Sequence, residues 1–171
     1  LEHTVMLPYV NEYPDIGSLN AVTYWADICV PGAELRFEPV PFNHPLYVVY
    51  SSGTTGVPKA IVHGHGGVLI EHLKALGLHM NLGEDDRFFW FTTTGWMMWN
   101  FLISGLLMGS SIVLYDGSPS FPDIRALWRL VESAKITCLG VSAPYLLACM
   151  KSGITPSDTF DLSTLRTVGS T

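Results

Sequence analysis

Apolar residues along the chain fall into two rhythms. Unbroken runs such as LYVVY at 46–50, RFFWF at 87–91, SIVLY at 111–115 and CLGVS at 138–142 have the length and bulk of buried strands. A second β-rich run, KAIVH at 59–63, makes residues 46–63 a strand, a loop and a strand. Elsewhere the spacing turns helical. Leu69, Leu73, Leu76 and Met80 recur on one face, with Glu71 and Lys74 on another, in a segment that ends near 81–83. Asp123 can cap a helix whose stripe is Ile124, Leu127, Trp128 and Val131, and Ser142 with Pro144 can open one carrying Tyr145, Leu146 and Met150. A last strand is predicted over 164–168. From Gly67 onward helices and strands alternate, which predicts an α/β fold, a layered sheet with flanking helices, with ligands at the loops that leave its strands.

The first 45 residues are less regular. A strand is predicted within TVMLPYV at 4–10, a short helix over 22–28, and a strand over 34–37 before the turn-like PVPFNHP at 39–45. The division is therefore a lead-in at 1–45 and a regular α/β region at 46–171.

Composition narrows the function classes. With 171 residues, 48% of them hydrophobic, the chain can bury a core. A net charge of -6 with nine Lys and Arg leaves no basic stripe for a nucleic-acid backbone. Residues 88–115 carry no charge and exceed the roughly 20 residues needed to cross a bilayer. Thr92, Thr93, Thr94, Gly95, Asn100 and Ser104 break that run, so no membrane span is expected. Cys29, Cys138 and Cys149 lie in apolar stretches and read as reduced core cysteines of a cytoplasmic protein. No basic segment followed by an apolar run opens the chain, and its start reads as the interior of a longer one.

The densest chemistry is YSSGTTGVPK at 50–59. Gly53 and Gly56 tolerate unusual backbone angles and let an anion approach, while Ser51, Ser52, Thr54 and Thr55 add hydroxyl donors and Lys59 adds charge. That inventory suits a polyphosphate; an ordinary glycine-rich hairpin loop has a similar composition. A Walker loop is disfavoured, because it needs Lys directly after the second glycine and a helix after that, whereas here Val57 and Pro58 intervene before a strand.

YSSGTTGVPK resembles the phosphate-loop signature of the adenylate-forming superfamily of acyl-CoA synthetases, luciferases and peptide-synthetase adenylation domains. With KAIVHGHGGVLIEHLK, DRFFWFTTTGWMMWNFLISGLL and IVLYDGSP, the text from about Phe42 onward is similar to its acetoacetate-activating members. The resemblance implies an acid–thiol ligase that makes an acyl-adenylate from ATP and then transfers the acyl group to coenzyme A. It implies that Ser51, Ser52, Gly53, Thr54, Thr55 and Gly56 line the ATP phosphates, that Lys59 orders the loop or approaches the departing pyrophosphate, and that magnesium travels with the nucleotide. Trp96, Met97 and Met98 would surround the acid, with Thr171 near the same pocket and Asn100 or Trp99 as a donor to its ketone. From spacing alone, Trp96, Met97, Met98 and Trp99 read first as core, and only the family resemblance reverses that order.

The same resemblance makes the chain a partial N-terminal, AMP-binding domain. The adenine and ribose motifs and the C-terminal domain are then expected in the rest of the same enzyme chain, and the fragment alone is expected to be inactive. An acyl-CoA synthetase for another short acid, such as acetate or propionate, and a non-catalytic anion-binding or interaction module are the alternatives. His63 and His65 alternate as on one strand face, but two imidazoles without a third ligand make a weak metal site, so none is expected. His72 and His79 read as surface or boundary residues.

Overall fold

The computed structural model describes residues 2–52 and 56–171. Two compact units are present, Leu1–Pro39 and Val40–Thr171.

In the first unit, β1 (Thr4–Met6) pairs in parallel with β2 (Val22–Tyr24), and the single turn α1 (Trp25–Ile28) follows. The helix expected over 22–28 is therefore half strand. Val22, Thr23 and Tyr24 are β-branched or aromatic and have a ladder partner, which outweighs helix propensity. The strand expected over 34–37 does not form. Leu35 and Phe37 are 80% and 82% exposed, and no described strand pairs with the segment, so its backbone has no ladder to join. Cys29 is exposed, against the expectation of a core thiol, whereas Cys138 and Cys149 are buried.

The second unit holds the regular architecture. β3 (Pro45–Ser51) and β4 (Lys59–Gly64) form an antiparallel hairpin in which Tyr47 pairs with His63, Val49 with Ile61 and Ser51 with Lys59. α2 (His65–Leu73) follows directly and runs into a wider turn, Lys74–His79. Then come β5 (Arg87–Trp90), α3 (Met97–Ile103) with a tighter turn at Ser104–Met108, β6 (Ser111–Ile112), α4 (Ala126–Ala134), β7 (Cys138–Val141), α5 (Ala143–Lys151) and β8 (Thr167–Ser170). The alternation is the expected one, with the last strand placed a few residues later. The four strands β5 to β8 are parallel, in the order β6-β5-β7-β8.

Side-chain alternation divides that sheet between two layers. Phe88, Trp90 and Cys138 pack with Leu76, Leu82 and Leu102, while Phe89, Leu139 and Val141 pack with Leu127, Trp128, Val131, Tyr145 and Cys149. Both faces are covered, which is why these strands read as continuous apolar runs. Gly140 is required by packing: a Cβ there would sit 2.0 Å from the Trp90 ring, which crosses this strand. Asp86, buried before β5, ties the sheet to its flank. It accepts from Gly83 N–H at 2.8 Å, the Thr137 hydroxyl at 2.6 Å and the Arg166 guanidinium at 2.6 Å. Burial alone would raise the Asp86 pKa, but these hydrogen bonds outweigh it and hold the carboxyl below its usual range.

Candidate functional site

The hairpin register decides where the loop residues stand. Ser51 ends β3 and faces Lys59, the first residue of β4, so this cross-strand pair closes the loop between them. Ser51, Ser52, Gly56 and Lys59 are exposed, and a Cβ on Gly56 would meet nothing within 4 Å, leaving room for a ligand over its backbone. Gly53, Thr54 and Thr55 lie outside the described residues. Lys59 opens a strand rather than a helix, so the local geometry is not that of a Walker loop.

Because paired residues of an antiparallel ladder share a face, Ser51 and Lys59 project on the same side as Tyr47, Val49, Ile61 and His63. That side looks onto α2 and α3. Between them lies a cavity of about 400 Å³ whose walls include Tyr47, Val49 and His63 of the hairpin, Val68 and His72 of α2, and Met97 and Phe101 of α3. Ser51 is two residues beyond Val49, roughly 7 Å along an extended strand. The base of the hydroxyl-rich loop and the cavity wall thus belong to one hairpin face. A larger hollow of about 600 Å³, bordered by Phe42, Leu46, Leu69 and Leu106, includes none of the expected site residues.

The residues expected around the acid divide. Trp96 precedes α3 and is 60% exposed, and Met97 at the first position of α3 is 52% exposed and lines the cavity. Met98 and Trp99 are partly buried against the core group that contains Phe88 and Trp90. Thr171 follows β8, where its carbonyl accepts from Ala143 N–H at 3.3 Å. Trp96 and Thr171 come from the carboxyl edge of the parallel sheet, where ligands of such sheets collect.

His63 and His65 do not share a strand face. β4 ends at Gly64, and His65 begins α2 with its ring 5.7 Å from that of His44, while the His63 ring lies tilted against Tyr47 with centroids 5.6 Å apart. Among the described residues no group of three His, Cys, Asp or Glu side chains could hold a metal ion. Among them, too, no helix is long and apolar enough to cross a membrane.

His72 is the site feature that the sequence reading missed. Expected at the surface or a boundary, it is 7% exposed, and its Nδ1 lies 2.5 Å from Ser104 Oγ. The ring of Phe101 meets it edge-on at 5.6 Å. Burial lowers its pKa, Glu71 opposes that shift and His63 adds to it. The signal was present: Val68, His72 and Leu76 are spaced by four and form the buried stripe, while Leu69 and Leu73 are 44% and 39% exposed.

Comparison with known proteins places this geometry. Residues 9–171 match the family model described as AMP-binding enzyme. The acetoacetyl-CoA synthetase of Gallus gallus is 44% identical over 178 residues, which cover 100% of this chain and 27% of that protein. The acetoacetyl-coenzyme A synthetase of Rhizobium meliloti is 44% identical over 173 residues, covering 98% of this chain and 26% of that one. A solved acetoacetyl-CoA synthetase from Streptomyces lividans superposes with a TM-score of 0.89 at 52% identity, over 99% of this chain and 26% of its own. The chain spans about a quarter of the length of these relatives. Since the family model matches residues 9–171, nearly the whole chain, the chain belongs to the AMP-binding enzyme family.

Proposed function

We propose that this chain is part of the large N-terminal domain of an ATP-dependent acid–thiol ligase that joins acetoacetate to coenzyme A. A carboxylate resists a thiol because it is anionic and offers oxide as the leaving group. In the proposed first step a carboxylate oxygen attacks the α-phosphorus of ATP and pyrophosphate leaves. In the second, the thiol attacks the acyl carbon and AMP leaves. Both steps depend on positioning and on stabilising charge at the reacting centres.

One observation carries the reading: the register that sets Ser51 against Lys59 at the base of the loop puts both on the hairpin face whose Tyr47, Val49 and His63 border the cavity with Met97. A phosphate chain held at the loop and an acid seated in the cavity would be neighbours. Ser51, Ser52, Gly53, Thr54, Thr55 and Gly56 are assigned to the β- and γ-phosphates, and Lys59 to the loop or to the pyrophosphate. Magnesium would ride on the phosphate oxygens, since it is held chiefly by substrate phosphates and one or two carboxylates. Met97 is assigned to the acid, with Trp96, Met98 and Thr171 around it. Three unpaired cysteines fit a reducing, cytoplasmic setting.

Met97 shapes a slot but makes no selective hydrogen bond, so activation of another short acid is the second reading. ATP–pyrophosphate exchange by the full-length enzyme, with acetoacetate, acetate, propionate and 3-hydroxybutyrate in parallel, separates the two. Preference for acetoacetate is expected, and preference for acetate would overturn the assignment. Lys59→Ala should slow that exchange by about 100-fold, the scale of losing one charge-stabilising donor. Unchanged exchange would remove Lys59 from the site.

A further inference from the structure

The hydrogen bonds around His72 fix which of its nitrogens carries the proton. Ser104 Oγ donates its single hydrogen to the Asn100 carbonyl at 2.8 Å, so its contact with His72 Nδ1 at 2.5 Å needs Nδ1–H as the donor. In the neutral ring Nε2 is then a bare acceptor. Among the described residues it has no hydrogen-bond partner, and the ring, though more than nine-tenths buried, forms part of the cavity wall. Around it the walls are Val49, Val68, Ala75, Met97 and Phe101. A polar ligand atom seated against those apolar walls has only Tyr47, His63, Glu71 and His72 to pair with, and His72 Nε2 is one group that can remove the cost of leaving it unpaired.

On the function proposed above, the acid's carboxylate must face the phosphate loop, so its tail enters the cavity. We propose that His72 is a specificity-determining residue that reads the oxygen on C3 of a short acid. As a neutral ring Nε2 accepts from a 3-hydroxyl, and as imidazolium Nε2–H donates to a 3-ketone. Preference for the 3-keto over the 3-hydroxy acid therefore rises as His72 takes up a proton; burial lowers its pKa, so this gain lies on the acid side, and near neutrality other contacts supply the preference for acetoacetate. Other titratable groups lie around this ring: Glu71 from its own helix, held at 2.7 Å by Lys74, and Tyr47 and His63 from the hairpin. The α3 wall supplies none, since Asn100, Phe101 and Ser104 do not ionise in this range. Tyr47 is the rival reader, because its phenol stays protonated and can donate to a ketone at any pH.

The test measures kcat/KM for adenylation of acetoacetate and of 3-hydroxybutyrate by the full-length enzyme from about pH 5 to pH 8, the range in which histidine titrates. The ratio cancels pH effects common to the enzyme once each rate is referred to the ionised acid, a correction needed for the weaker 3-hydroxy acid at the lowest pH. The ratio should favour acetoacetate by a further three- to tenfold, about the worth of one hydrogen bond, as pH falls. In His72→Gln, whose amide can donate or accept at every pH, the ratio should vary by less than about twofold. A flat wild-type ratio with normal acetoacetate activity overturns the role of His72 and leaves the proposed function standing. A slope retained in His72→Gln, or discrimination lost in Tyr47→Phe alone, assigns the reading to another group and also overturns it. Activation of propionate with neither C3-oxygenated acid accepted overturns the proposed substrate, and this inference with it.

Discussion

The β3–β4 hairpin and the parallel sheet are built from equally apolar strands and are buried very differently. β7 is buried at all four positions, whereas no residue of β3 or β4 is buried. In the sheet, each face has helices over it. In the hairpin, one face overlooks the cavity and the other is bare at Val48, Tyr50 and Val62, which are 47%, 69% and 60% exposed. An apolar strand thus shows a demand for cover but not whether that demand is met. The centre of the sheet, residues 88–90 of β5 and all of β7, is a scaffold in which packing dictates each side chain. The hairpin carries the loop chemistry and is held by its ladder and by one helix.

The sharpest way to break this contrast is to truncate a side chain at the sheet centre. Leu139 is fully buried between the sheet and the layer that contains Leu127 and Tyr145. Leu139→Ala should cost about 2–5 kcal/mol in urea unfolding, from lost transfer energy and a cavity that the neighbours only partly fill. A cost below about 1 kcal/mol would mean that this core is loose, and the scaffold description would fall.

Glycines provide the second comparison. Gly140→Ala forces a methyl group against Trp90, 2.0 Å from its nearest ring atom, and should destabilise by about 1–3 kcal/mol with a change in tryptophan fluorescence. Gly56→Ala meets nothing within 4 Å and should leave thermal stability within about 0.5 kcal/mol. If Gly56 serves close approach of a phosphate chain, its substitution should raise the KM for ATP without moving the midpoint. A stability loss equal to that of Gly140→Ala would show a structural role at both.

How far the sequence reveals this molecule follows the same division. The stripe Leu127, Trp128 and Val131 was legible because a doubly covered sheet leaves helices a single inward face. The loop was legible because its hydroxyls, glycines and lysine are contiguous. α2 was misread because apolar residues occupy two of its faces: Val68 and Leu76 turn inward, while Leu69 and Ile70 remain 44% and 60% exposed. Only the packing distinguishes those faces, and His72 lies on the inward one. The strand expected over 34–37 failed for the converse reason, since local apolarity cannot supply a ladder partner.

Acid should also separate the regions. The Asp86 carboxyl has its pKa held down in the fold, so its contribution is present above the unfolded value of about 3.9 and is lost as pH falls through the lower folded value. Asp86→Asn should cost about 1–3 kcal/mol near neutrality and flatten stability against pH below about 5. An unchanged acid limb would show that Arg166 and Thr137 find equal partners elsewhere.

The smallest effect is the most discriminating. Val48, paired with Val62 on the bare hairpin face, is already 47% exposed, so Val48→Thr removes little buried apolar area and keeps β-branching. In this chain the change should stay within about 0.5 kcal/mol. The same substitution in the proposed longer enzyme tests whether that face is covered there. A cost above about 1.5 kcal/mol would show a hydroxyl forced into a packed interface, because Val and Thr are alike in shape and differ in that one polar group. An equally small cost in both proteins would mean that the hairpin keeps a bare apolar face even in the complete enzyme, and that the cavity side alone holds it in place.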